Sequence, residues 1–155
     1  MIRFSRYASL VFFILVASTG WLYAQLTLAG GNPTLSITTG MAGAEPIAVV
    51  NTATTINYEK SGSVQKITVL TSCLGQSFTL KVVATGASFG TPAPEVTLTQ
   101  GMLATDLITG IPSKPPGPNK GSCTLLYTAS ATFAQGNSSE QGNDVHTVTY
   151  TILAQ

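Results

Sequence analysis

Apolar and polar residues alternate with a period of two along most of the chain. In residues 123–133, Leu125, Tyr127 and Ala129 fall on one face, and hydroxyl side chains fill most positions between them. Residues 145–152 alternate in the same way. Such alternation is typical of strands that bury one face of a sheet and leave the other in water. Shorter runs predict further strands at residues 34–39, 47–50, 54–58, 64–70, 78–84 and 95–99.

Segments rich in glycine and proline separate these runs. Residues 40–46, 86–94 and 110–122 are predicted loops, and the prolines of 110–122 exclude it from the centre of a sheet. Residues 102–108 fit either a strand or a short helical turn. The pattern therefore predicts an all-β fold: an antiparallel two-sheet β-sandwich of about eight strands, in one domain at residues 34–155.

Residues 1–24 have a different composition. Arg3 and Arg6 precede an apolar run at residues 10–17, and a cleavage site is expected after Ala24. This is the layout of a secretory signal peptide. A retained membrane anchor is the alternative, but the apolar run is about half of the ~20 residues that span a bilayer. We therefore expect a secreted or cell-surface product, exported through the periplasm in a Gram-negative cell, with no membrane segment after cleavage.

Charged residues are scarce. They make up 8% of the sequence, with seven Lys or Arg, six Asp or Glu and a formal net charge of +1. Soluble globular chains carry about 25%. The sequence also has no run of basic residues, so the electrostatic footprint of a nucleic-acid-binding protein is missing.

The sequence contains two cysteines, Cys73 and Cys123. In the oxidising compartment that a signal peptide implies, two cysteines in a small domain predict one disulfide. Closing a loop of about 50 residues would stabilise the fold by roughly 4 kcal/mol. A zinc site is not indicated, because two thiols and a single His lack the paired spacing of such sites.

Candidate catalytic residues are few. His146 is the only histidine, and Asp144 lies two residues earlier on the same face of a predicted strand. A Ser-His-Asp arrangement would need a nucleophilic serine, and the sequence has no G-x-S-x-G motif. The carboxylates are scattered, and no spacing selects a pair that would suit a glycosidase. We therefore predict no catalytic residue, no cofactor and no enzyme activity.

Residues 135–144 form a predicted polar hairpin loop. Asn137, Glu140, Asn143 and Asp144 offer oxygen atoms for a loose calcium cage. No EF-hand spacing supports that cage, so we predict no metal site. Asn137 also begins an N-glycosylation motif, whose use depends on the host.

Residues 25–33 form a short segment ahead of the domain. Gln25, Leu26, Thr27 and Leu28 alternate like a strand, and the sequence Gly-Gly-Asn-Pro follows them as a hinge. Such a strand can pair within its own domain or add to the sheet of a neighbouring molecule, which is the β-augmentation mode of association. These four residues are therefore the predicted polymerisation segment.

In plan, the chain resembles the pilus subunits that assemble by donor-strand exchange. The shared features are the signal peptide, a single disulfide, a detachable N-terminal strand and an alternating C-terminal strand with Tyr150 near its end. The two cysteines lie later in the domain than in that family, and the tyrosine is not penultimate. The resemblance implies a pilin-like, immunoglobulin-like sandwich that forms a homopolymer.

The sequence therefore predicts a structural subunit of an extracellular or cell-surface fibre, assembling with itself by strand addition. An assembly chaperone and a surface ligand are the further partners considered. The alternative is a solitary secreted binding or adhesion module that acts through the loops at residues 86–94 and 110–122. Phe89, in the first of these loops, is the candidate for an exposed aromatic ring.

Overall fold

The protein is all-β over the part of the chain that its structure, a computed structural model, describes. The described residues are 25–38, 43–114, 118–135 and 143–155. The predicted signal peptide, residues 1–24, lies outside them. Their only helical element is one turn of 3-10 helix, Phe133–Gln135. No helix in these ranges is long and apolar enough to cross a membrane.

Nine strands in the described residues form two sheets. In chain order they are β1 (Leu26–Ala29), β2 (Val49–Glu59), β3 (Gln65–Ser72), β4 (Thr79–Thr85), β5 (Thr91–Pro92), β6 (Val96–Leu98), β7 (Thr105–Ile111), β8 (Lys120–Ser130) and β9 (Thr147–Ala154). The five-stranded sheet has the order β1-β2-β8-β4-β6, and the four-stranded sheet has the order β5-β7-β3-β9. All neighbouring strands are antiparallel. The predicted all-β class with two antiparallel sheets is confirmed.

The core lies between the two sheets, where their alternating apolar side chains meet. β8 buries Leu125 and Tyr127 and leaves the positions between them partly exposed. From the four-stranded sheet, β3 contributes Ile67 and Val69. The hydroxyls of Tyr127 and Tyr150 lie 2.6 Å apart, so a hydrogen bond joins β8 to β9 across the core. Period-2 burial on both sheets is therefore what holds the layers together.

Two stretches form strands where the sequence predicts either two separate strands or a choice between a strand and a helical turn. The predicted strands at residues 47–50 and 54–58 are largely one strand, β2, with a break in its register against β8 between Asn51 and Thr54. Residues 102–108 lead into β7, so the later part of this stretch is a strand. β7 in turn pairs with β5, which lies inside a segment predicted to be a loop.

The predicted strand at residues 34–39 is wrong over 34–38, where no strand ladder forms. The segment still alternates, because Leu35 is partly buried and packs against the core. Gly30 and Gly31 both have positive φ angles, 99° and 75°. Two successive residues in this conformation redirect the backbone at the end of β1, so the chain leaves the ladder.

The predicted disulfide is not present, because Cys73 and Cys123 are both free, buried thiols. Cys123 lies near the beginning of β8, whereas Cys73 follows the last residue of β3. Cys73 lies beside Asp144, and the Asp144 carboxylate accepts a hydrogen bond from the amide of Phe78, just before β4. Because β4 begins opposite Ser130, Cys73 lies near the end of β8 that is far from Cys123. The stretch of β8 from Cys123 to Ser130 is roughly 23 Å long at ~3.3 Å per residue. A disulfide needs its two Cα atoms within ~7 Å, so the fold separates the thiols.

Candidate functional site

The predicted polymerisation residues form one edge of the five-stranded sheet. Leu26, Thr27 and Leu28 belong to β1, and the carbonyl of Gln25 accepts a hydrogen bond of 2.9 Å from the Glu59 amide. β1 pairs antiparallel with β2 of its own chain. Leu26 packs against the core, but Leu28 is 52% exposed. The segment is therefore an edge strand of four residues, paired within its own molecule.

The predicted hinge after β1 makes a close backbone contact with β2. A Cβ atom on Gly30 would lie 1.8 Å from the carbonyl oxygen of Ala53, so only glycine fits there. One residue later, the carbonyl of Gly31 accepts a hydrogen bond of 3.4 Å from the hydroxyl of Thr54. The contact lies where the register of β2 breaks, so the strand irregularity and the glycine occur together.

β9 forms an edge of the four-stranded sheet. It pairs with β3 in an unbroken register from Gln65 opposite Ala154 to Ser72 opposite Thr147. Its eight residues, TVTYTILA, include no charge and no proline. Among the described residues, no strand pairs with its other side. Natural sheets protect such edges with charges, prolines, bulges or short length, and β9 has none of these.

A thiol, a carboxylate and an imidazole lie together at one end of the sandwich. Cys73 is buried, and Asp144 and His146 are partly buried. Their Sγ, carboxylate oxygen and ring nitrogen atoms all lie within 4.8 Å of one another. The β3–β9 register explains this cluster: extending it by one residue beyond Ser72 and Thr147 places Cys73 opposite His146. Period-2 alternation then brings Asp144 to the same face.

Hydrogen bonds from the surrounding backbone and side chains orient the cluster. The carboxylate of Asp144 accepts bonds from the amides of Ser77, at 3.0 Å to each oxygen, and Phe78, at 2.8 Å. The Nδ1 atom of His146 lies 3.1 Å from the hydroxyl oxygen of Thr71. The amide of Cys73 donates to the side-chain oxygen of Gln100. The side chains of Asp144 and His146 and the backbone of Cys73 are therefore held by neighbours.

The electrostatics of the cluster favour neutral side chains at Cys73 and His146. Burial raises the pKa of the Cys73 thiol, and the nearby carboxylate of Asp144 raises it further. Burial lowers the pKa of His146, and Asp144 partly opposes that shift. A nucleophilic cysteine needs the opposite environment, one that stabilises the thiolate. Transition metals bind a thiolate, a carboxylate and a neutral imidazole, so a metal ion bound here would displace the proton of the Cys73 thiol.

No relative adds to this picture. Comparisons of the chain with protein-family models, with curated proteins and with solved structures found no match.

The other end of the sandwich is closed by Phe89. The Phe89 carbonyl accepts a hydrogen bond of 2.7 Å from the Tyr58 hydroxyl, and the Phe89 amide donates one of 3.0 Å to the Tyr58 hydroxyl oxygen. The Nζ atom of Lys60 lies 4.0 Å from the centroid of the Phe89 ring. Ser88 and Ser122 hydrogen-bond to each other, which joins the two predicted loops. Phe89 is partly buried and packs against the core, so it is not the exposed ring that the sequence suggested.

The sequence places His146 and Asp144 on one face but does not reveal their thiol partner. Cys73 is distant from both along the chain, and the pair of cysteines predicts a disulfide. The two signals that point to it are its position three residues after the predicted strand at 64–70 and the position of Asp144 directly before the predicted strand at 145–152. Only the pairing of those strands brings the three together. Asn137 and Glu140, considered for a calcium cage, lie outside the described residues.

Proposed function

We propose that the chain is a secreted structural subunit of an extracellular fibre that grows by strand addition. On this proposal the two-sheet fold is of the pilin-like, immunoglobulin-like type, and no catalytic role is assigned. The observation that carries the proposal is the edge of β9, which is eight residues long, uncharged, unbroken in register and unpaired by any described strand. An exposed, regular edge of this kind is a template for another strand.

The donor strand in this proposal is the N-terminal segment of a neighbouring copy. β1 pairs with β2 alone, over four residues, and it exposes three of them. Its alternating apolar side chains, Leu26 and Leu28, suit addition to a sheet edge, where main-chain hydrogen bonds supply affinity and alternate side chains supply specificity. Each subunit would then offer β1 to one neighbour and β9 to another. Such head-to-tail contacts build filaments rather than closed dimers.

Low charge supports this assignment. The sequence carries 8% charged residues, and β9 has none. Close lateral contact between identical subunits is easier when they carry little like charge. The paired charges of the described surface, such as Lys66 with Asp106 and Lys81 with Glu95, compensate each other locally.

The test is sizing chromatography and negative-stain microscopy of the wild type and three variants. The first lacks residues 25–32. The second carries Thr149→Lys and Thr151→Lys, which add charge to exposed positions of β9. The control is Asn57→Lys, which adds charge to an exposed position of β2 that has β1 and β8 on either side. We expect filaments from the wild type and the control and none from the other two.

Other results would refute parts or all of the proposal. Filaments that persist without residues 25–32 but vanish with the β9 lysines would overturn β1 as the donor. Monomers in every sample would overturn the fibre proposal. In that case the solitary binding module would be the better candidate.

A further inference from the structure

We infer that Cys73, Asp144 and His146 form a binding site for a divalent transition-metal ion such as zinc. This inference goes beyond the fibre proposal and does not rest on it. The three donor atoms lie within 4.8 Å of one another. Tetrahedral zinc, with bonds of ~2.0–2.3 Å, holds its ligand atoms about 3.3–3.8 Å apart. Small side-chain rotations therefore bring the three donors to bonding distance.

The chemistry of the donor set selects the class of metal. One thiolate, formed when the metal ion displaces the Cys73 proton to solvent, one imidazole and one carboxylate make a mixed S, N, O site, which suits a borderline ion. Calcium and magnesium prefer sites built from oxygen alone, so this cluster does not suit them. Three protein ligands leave a fourth position for water or another small ligand.

The neighbours of the cluster have the arrangement of an outer ligand shell. Metal-binding histidines usually hydrogen-bond through their second nitrogen, and metal-binding carboxylates are themselves hydrogen-bonded. Thr71 bonds one nitrogen of His146, which leaves the other for a metal. The Asp144 carboxylate receives two amide bonds on Oδ2 and one on Oδ1, so Oδ1 keeps more free acceptor capacity.

The site lies where an ion would have a structural effect. Cys73 follows β3, and Asp144 and His146 precede β9, so a bound ion would tie together the two strands at one end of their ladder. The flanking side chains Leu74 and Val145 are 90% and 78% exposed, so the cluster lies next to solvent. We therefore expect metal binding to stabilise the start of β9.

The test uses cobalt(II), which replaces zinc and absorbs light when a thiolate binds it. The purified, reduced protein is titrated with cobalt and then with zinc, with absorption, stoichiometry and melting temperature as readouts. Cys73→Ser removes the proposed sulfur ligand, and Cys123→Ser is the matched control that removes the other buried thiol. We expect one cobalt per chain, thiolate-to-cobalt charge-transfer absorption in the wild type and control, and its loss in Cys73→Ser.

A second pair of variants keeps the test independent of any folding defect in Cys73→Ser. Thr71→Val removes the hydrogen bond to His146 while keeping all three ligands, and zinc affinity should fall by roughly 10-fold to 100-fold. His146→Gln should abolish tight binding, with strand content checked by circular dichroism. Absence of charge-transfer absorption in the wild type at micromolar cobalt would overturn the inference. Equal absorption in Cys73→Ser and Cys123→Ser would overturn it as well.

Discussion

The two ends of the sandwich use their polar residues in different ways. At the Phe89 end, defined by Tyr58, Lys60 and Phe89, polar atoms lock a partly buried ring over the core. At the Cys73 end, defined by Cys73, Asp144 and His146, polar atoms converge on one another beside exposed apolar side chains. At one end the polar contacts hold an aromatic ring over the core, and at the other they surround a thiol, a carboxylate and an imidazole that lie within 4.8 Å of one another.

The two ends also differ in how tightly their side chains are packed. At the Phe89 end, the Tyr58 ring is almost fully buried, and a Cβ atom on Gly121 would lie 2.7 Å from the Phe89 ring. The packing around the Phe89 ring is therefore tight. At the Cys73 end, Leu74 and Val145 extend into solvent, and a Cβ atom on Gly75 would meet nothing within 4 Å. Substitutions at the two ends should therefore have very different consequences.

The largest contrast is expected between two glycine substitutions. Gly90 and Gly75 have similar positive φ angles, 82° and 70°, but a Cβ atom on Gly90 would lie 2.7 Å from both Ile108 and the Thr109 carbonyl. Gly90→Ala should lower the free energy of unfolding by roughly 3 kcal/mol, from backbone strain and overpacking together. Gly75→Ala should lower it by about 1 kcal/mol, from backbone strain alone. Urea unfolding measures both, and equal losses would refute the proposed difference in packing.

The next effect is a loss of stability at alkaline pH caused by Cys123. Burial raises the pKa of this thiol from 9.0 to about 11. Because the folded state keeps a proton that the unfolded state releases, the contribution is complete below pH 9 and is lost as the pH rises to about 11, by roughly 2 kcal/mol. Urea unfolding from pH 8 to pH 11 under reducing conditions should show a shallower decline in Cys123→Ala than in the wild type. The buried tyrosines contribute to the decline in both proteins. Parallel stability curves for the wild type and Cys123→Ala would therefore contradict the assignment to Cys123.

A smaller loss is expected when the Tyr58 hydroxyl is removed. Tyr58→Phe keeps the ring but leaves the Phe89 amide and carbonyl without their partner. The free energy of unfolding should fall by about 1–2 kcal/mol, which is the usual penalty for unsatisfied buried polar groups. Hydrogen exchange of the Phe89 amide should become faster, while amides in the centre of β8 serve as the control. An unchanged exchange rate at the Phe89 amide would show that the hydrogen bond to Tyr58 does not stabilise this end of the sandwich.

The smallest effect is expected at the surface of the Cys73 end. Leu74 is 90% exposed, so Leu74→Ser removes almost no buried area. The free energy of unfolding should change by less than about 0.5 kcal/mol. Thermal unfolding is sufficient to measure this, with Phe89→Ala as the destabilised comparison. A loss above about 1 kcal/mol would mean that Leu74 has a packing role that its exposure does not reveal.

Period-2 alternation predicted the sheets better than it predicted single boundaries. The alternation predicts both β8 and β9, because each alternates over a long stretch bounded by polar loops. Residues 34–38 alternate as well, yet they form no ladder, because the glycines before them turn the chain away from β2. Alternation reports which side chains face the core. It does not report whether a neighbouring backbone is present to bond.

The candidate site was less predictable than the fold. Asp144 and His146 could be paired from the sequence, since residues two apart share a face of a strand. Cys73 could not be added to them, because its position depends on β3 lying beside β9. The same lack of spatial information made the disulfide an attractive prediction. Two cysteines in a small domain suggest a bond, but the distance between them is set by the strands that carry them.

The sequence by itself determined the all-β class, the segments that alternate and the scarcity of charge, because each of these is a local or additive property. Only the tertiary structure decided which strands are neighbours. Strand pairing joins residues that are distant in the chain, and it placed Cys73 opposite His146 and separated Cys73 from Cys123. It also left β9 at an edge, with no described strand on its outer side. These long-range pairings are the physical origin of both functional proposals.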